Sequence, residues 1–101
     1  MLTKGAEMKT EKDVENYLKA KVQKCAGMCL KFTSSGTVGV PDRIVILPTG
    51  NFFVEVKSPG KLPRPSQIAM HGKISRAGQR VWVVDSYESV DRVLTEMGVS
   101  T

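Results

Sequence analysis

Three side chains near the middle of the chain, Asp42, Glu55 and Lys57, have the types and spacing to do chemistry together. Residues 43–47 (Arg-Ile-Val-Ile-Leu) and 52–57 (Phe-Phe-Val-Glu-Val-Lys) are rich in β-branched and aromatic residues. Pro48-Thr49-Gly50-Asn51 separates them, which predicts a hairpin. With Gly50 set opposite Thr49, Asp42 lies opposite Lys57 and Ile44 opposite Glu55. Side chains alternate faces along a strand, so all three charged groups emerge on one side, at the end of a face that otherwise carries Ile44, Ile46 and Phe53. Charges at the margin of a core cost desolvation unless they are paired or bound to an ion. Two readings stand on the residues alone. In one, Lys57 neutralises an acid where the strand frays. In the other, the two carboxylates hold a hard divalent cation such as Mg²⁺, which needs only one or two protein carboxylates. Such an ion polarises a phosphoryl oxygen and acidifies water, and a nearby ammonium stabilises the charge that develops. That is the equipment of phosphodiester hydrolysis.

The elements that must position these groups are legible on either side. Thr10 caps a helix over residues 11–26, with Glu11 and Asp13 in its first turn and Gly27 as the residue that ends it. Val14, Tyr17, Leu18, Val22 and Cys25 form its apolar stripe. Met28 to Phe32 is a short strand candidate, and residues 33–39, small and polar, form a loop. After the hairpin, Ser58 to Pro65 holds three prolines and a glycine and excludes regular structure. Ser66 caps a second helix from Gln67 to about Ala77, ended by Gly78. Val81-Trp82-Val83-Val84 is a buried-type strand, with Trp82 in the core. A last helix, capped by Asp85 or Ser86, carries Val90, Val93, Leu94 and Met97 and closes at Gly98. The order α-β-β-β-α-β-α predicts an α/β fold with a mixed sheet flanked by helices.

The chain has 101 residues and is expected to form one domain, residues 1–101, with residues 1–9 flexible. No apolar run is long enough for a membrane span, and the N-terminus lacks the apolar stretch of a secretory signal. Two cysteines, Cys25 and Cys29, are too few for a zinc site and are expected to be reduced thiols. A cytoplasmic location follows as the expectation. Fifteen Lys and Arg against ten Asp and Glu leave a net charge of +5, which permits binding to a polyanion without requiring it.

The string GVPDRIVILPTGNFFVEVKSPG, followed by Gln67, resembles the VRR-NUC family, the virus-type replication-repair nucleases of the PD-(D/E)xK superfamily. The likeness runs from about Glu11 to Val84. PD and ExK alone are short and common; GVPDR, the apolar hairpin, the PG loop, the later glutamine and the element order together make the match specific. The resemblance implies a restriction-endonuclease-like αβββαβ core, here with an extra C-terminal helix. It implies that Asp42, Glu55 and the main-chain carbonyl of Val56 hold Mg²⁺ or Mn²⁺, that Lys57 is the catalytic lysine, and that Gln67 orients the lysine, water or substrate. It also places an acid of the first helix toward the site: Glu11 by preference, with Glu15 the alternative and four residues away on the same helical face.

The activity the resemblance implies is metal-dependent endonucleolytic cleavage of DNA, on branched or Holliday-junction substrates, by a homodimer. It hints at DNA repair and at a phage or bacterial source. A nuclease with flap, nicking or relaxed duplex preference is one rival, and a non-catalytic DNA-binding module is another. Lys61 and Arg64 are the favoured phosphate contacts, ahead of Lys73, Arg76 and Arg80. Ser34 and Ser35 lie in a loop that approaches the substrate in resolvase-like relatives. His71, the sole histidine, is taken to exclude a histidine-based metal site or a triad and is assigned an ordinary surface or interface role. No organic cofactor and no membrane partner are expected.

Overall fold

A computed structural model describes residues 9–100. The expected flexibility of residues 1–9 falls, up to residue 8, outside the described residues. The elements are helix α1 (Glu11–Lys24), strands β1 (Met28–Lys31), β2 (Arg43–Leu47) and β3 (Gly50–Val56), helix α2 (Pro65–Arg76), strand β4 (Val81–Val84) and helix α3 (Tyr87–Glu96). Their order is the one the periodicity predicts. They form one four-stranded sheet in the order β1-β2-β3-β4, antiparallel except for the parallel β3–β4 pair. Among the described residues no helix is long and apolar enough to cross a membrane.

Thr10 caps α1 in a reciprocal box: its hydroxyl accepts from the Asp13 N–H at 3.1 Å, and its own N–H donates to Asp13 at 2.9 Å. The helix ends earlier than the predicted Ala26. Ala26 itself takes the left-handed conformation (φ 62°) expected of Gly27. Gly27 is required for a different reason: a Cβ there would stand 2.6 Å from the Ile46 carbonyl oxygen, so the chain can pass this close to β2 only without a side chain.

Val14, Leu18 and Val22 of α1 and Val90, Val93 and Leu94 of α3 bury one sheet face made of Val45, Leu47, Val54, Val56, Trp82 and Val84. The two helices are fastened to each other by the stacked Tyr17 and Tyr87 rings, 4.1 Å apart, and by the Tyr17 hydroxyl, which donates to Asp91 at 2.9 Å. Thr49 in the hairpin turn donates to the Met97 carbonyl at 2.7 Å, tying the turn to the end of α3.

The opposite face carries Met28, Leu30, Ile44, Ile46, Phe53, Glu55, Val81 and Val83, by the strand register. Helix α2 covers the part of it near Glu55. Met28 is 53% exposed, Leu30 41% and Val83 37%, so this apolar face is only partly covered.

The hairpin register differs from the expected one. Leu47 pairs with Gly50 and Ile44 with Phe53, so the connection is the two-residue Pro48-Thr49 rather than a four-residue loop. Ile44 therefore does not oppose Glu55, and Asp42 does not oppose Lys57. The slip is two residues, one full side-chain period, and so it leaves every residue on its predicted face. Helix α2 also begins earlier than predicted: its N-cap is Arg64, with Pro65 in the first turn, and not Ser66.

Candidate active site

Asp42, just before β2, and Glu55, near the end of β3, come together at one end of the sheet. The Asp42 carboxylate accepts the Val56 N–H at 2.9 Å, which anchors the PD loop to β3. The Lys57 N–H donates to the Val84 carbonyl at 2.9 Å, extending the parallel pairing past the last strand residue and holding Lys57 in line with Glu55. Its ammonium then lies 3.5 Å from Glu55 Oε2. Gln67, in the first turn of α2, reaches down from above. Its amide oxygen accepts the Arg64 N–H at 2.8 Å, so its amide nitrogen must face the other way, where it donates to Glu55 Oε2 at 2.7 Å. Four of the predicted residues are thus brought together.

These groups are dry. Glu55 is 1% exposed, Gln67 5% and Lys57 8%. Burial, and next the negative charge of Asp42, push the Glu55 carboxyl up to about 7 against the opposing pull of Lys57. Glu55 Oε1 has no hydrogen-bond partner. An unsatisfied buried oxygen of this kind costs about 1–3 kcal/mol in the resting protein.

A divalent cation would answer that deficit. Asp42 and Glu55, whose negative charges oppose each other, are the side chains that would hold it. Among the described residues no three His, Cys, Asp or Glu side chains stand as a ready-made metal cage. Two carboxylates with a main-chain carbonyl and water is nevertheless a donor set that suits Mg²⁺.

The remaining predicted residues lie apart. Glu15 is paired with Arg43, a buried guanidinium on the helix-covered face, and this bond holds the Glu15 carboxyl below its usual range. It is therefore occupied as a structural partner. Glu11 is exposed on the first turn of α1. No hydrogen bond or ion pair among the described residues joins it to Asp42, Glu55 or Lys57. Lys61 and Arg64 are exposed in the segment between β3 and α2, and Ser35 is exposed in the 33–39 loop, with Ser34 half-buried beside it.

That loop is seated against α2. Between the two runs a depression of about 300 Å³ lined by Gly36, Thr37, Val38, Ser66, Ala69, Met70 and Lys73. Gly39 (φ 85°) makes the seating possible, since a Cβ would meet the Ser66 carbonyl oxygen at 2.3 Å. Gly39→Ala is expected to destabilise the protein by about 2 kcal/mol or more in urea unfolding, from left-handed strain and the backbone clash together.

His71 does not have the surface role assigned to it. It lies one turn after Gln67 on α2, with Nε2 3.7 Å from Glu55 Oε1, and that nitrogen too is buried without a hydrogen-bond partner. Burial, then the Lys57 charge, hold its pKa below the ordinary histidine value. The signal was present in the spacing: a residue four after Gln67 shares its helical face.

A mixed sheet with helices on both faces and two acids and a lysine at one end is the frame of a restriction-endonuclease-like nuclease domain. A solved structure described as a VRR_NUC domain matches it with a TM-score of 0.78 and 34% sequence identity, over 84% of this chain and 94% of that one. A protein named "Putative nuclease p44", from Acyrthosiphon pisum secondary endosymbiont phage 1, is 43% identical over 79 residues, 77% of this chain and 85% of that protein. No protein-family model matches the sequence. The chain belongs to the VRR-NUC family of nucleases.

Proposed function

We propose that this protein is a Mg²⁺- or Mn²⁺-dependent DNA endonuclease that cuts branched DNA as a homodimer. The observation that carries the reading is the buried oxygen of Glu55 left without a hydrogen-bond partner, in a carboxylate that feels the charges of both Asp42 and Lys57. Asp42, Glu55 and the Val56 carbonyl would hold the cation. When bound, it supplies Lewis acidity toward a phosphoryl oxygen.

The other residues position and balance charge. Lys57, fixed by its main-chain bond to Val84, directs its ammonium toward the space in front of Glu55, where it opposes the negative charge that grows on a phosphoryl group under attack. Gln67 keeps Glu55 Oε2 occupied, so that Oε1 is the oxygen left for the ion. Lys61 and Arg64 are exposed and adjoin the site in sequence, which suits contact with the phosphates of an approaching strand. Ser34 and Ser35 belong to the 33–39 loop, which is seated against α2.

Two features favour a dimer on a branched substrate. The half-covered face of Met28, Leu30, Ile44, Ile46 and Phe53 offers apolar surface for a second copy. Two-fold symmetry would present two sites to a two-fold junction. Light scattering should give about twice the 11.1 kDa chain mass. Labelled four-way junctions, flaps, nicked and intact duplexes, each with Mg²⁺ or Mn²⁺ and with a chelator, test the activity. Junctions are expected to be cut at least tenfold faster than duplex, and the chelator should stop all cutting. Equal cleavage of every substrate would overturn the junction preference. Binding without any cleavage would leave a DNA-binding module.

A further inference from the structure

We infer that His71 supplies a nitrogen ligand to the cation held at Glu55, so that the site is a mixed oxygen–nitrogen seat that holds first-row transition ions more tightly than Mg²⁺. The inference rests on the cation reading proposed above and deepens it.

The two atoms concerned have only each other, as an ion pair that needs a protonated imidazole, the form that burial disfavours. Glu55 Oε1 and His71 Nε2 are each buried without a hydrogen-bond partner, and they face each other at 3.7 Å. That distance is too long for a hydrogen bond between them. Two ligand atoms that share one small ion at about 2.1 Å each stand roughly 3.0–3.4 Å apart. The observed gap exceeds this by a few tenths of an ångström, which a small side-chain rotation closes. Unpaired buried polar atoms are uncommon in folded proteins, and one shared ion would satisfy both of these at once.

The surroundings favour a cation over an anion as that partner. Asp42 and Glu55 supply negative charge on one side, and Gln67 and Lys57 already occupy the other Glu55 oxygen. The His71 side chain is 14% exposed and its helix is fixed at the first turn by the Gln67 bonds, so the imidazole is aimed rather than free to swing away. A neutral imidazole presents a lone pair of intermediate softness. It suits Zn²⁺, Co²⁺ and Ni²⁺, whereas Mg²⁺ prefers oxygen donors and water.

The chain has one histidine, so the ring nitrogens of untagged, ¹⁵N-labelled protein report on His71 without ambiguity. One equivalent of Zn²⁺ is expected to move the Nε2 resonance to a metal-bound position and to lock a single tautomer. The same shift should be absent in Glu55→Gln, which excludes zinc captured elsewhere. By calorimetry, His71→Ala should weaken Co²⁺ binding at least tenfold while changing Mg²⁺ binding less than threefold, and His71→Asn should behave likewise.

Zinc binding that leaves the imidazole signal in place would overturn the inference. So would equal losses for Co²⁺ and Mg²⁺, which would assign His71 to packing. Wild-type protein that binds none of the three ions would instead overturn the cation reading itself. The wild-type resonance measurement does not depend on how well any variant folds.

Discussion

Lys57→Ala is expected to lower the single-turnover rate of phosphodiester cleavage by about 10²–10³-fold, the range found when one preorganised charge-stabilising donor is removed from an active site. Divalent binding by calorimetry should change little, because the lysine is no ligand. The separation of the two effects follows from the geometry. The ammonium lies 3.5 Å from Glu55 Oε2, and the oxygen without a hydrogen-bond partner is Oε1. Its backbone is held by Val84, so the truncation removes charge without releasing the strand. Lys57→Arg should not restore the rate, since a planar fork cannot occupy the space of a compact ammonium in so buried a place. Retention of more than a tenth of the wild-type rate in Lys57→Ala would remove this residue from the chemistry.

Glu55→Gln should do two opposite things. It removes an ionic ligand, and cleavage should fall at least 10³-fold. In metal-free buffer at pH 8 it should make the protein more stable, by up to about 3 kcal/mol, which for a domain of this size raises the melting temperature by roughly 10 °C or more. Glu55 is held near 7 in the folded protein, above the 4.5 of an unstrained glutamate, by burial and by Asp42. Between those values the native state keeps a proton that the unfolded chain gives up. Stability from this group is therefore complete below about pH 4.5 and is lost as pH rises through 7. A neutral amide carries no such penalty, and it still offers an oxygen to the Gln67 amide that now bonds Oε2. The advantage of Glu55→Gln should vanish at pH 4.5 and grow to its full size above pH 7. A saturating divalent ion should reverse the order, because it stabilises the wild-type carboxylate and finds no charge on the variant. Thermal unfolding at the two pH values, with and without Mg²⁺, measures all four cases. Identical pH profiles for the two proteins would mean that Glu55 is not strained in the resting site.

The glycine substitution acts away from the acids, and the histidine substitution acts beside Glu55. Gly39→Ala acts on the seating of a loop and His71→Ala on the choice of ion, and neither changes the pairing of β2 with β3.

Local chemistry alone determined the elements and which way their side chains point. Thr10 with Asp13 makes a cap wherever it occurs, three- and four-residue apolar spacing makes a buried stripe, and alternation along β2 and β3 puts Asp42, Glu55 and Lys57 on one face even when the register is misjudged by two residues. What tertiary structure decided was partnership. Whether Glu15 looks toward the acids or toward Arg43, and whether His71 faces solvent or Glu55, depends on how a helix is rotated and set down on the sheet. Segments distant in sequence are placed by the packing of whole faces, where many small contacts are summed, and no single residue spacing carries that sum.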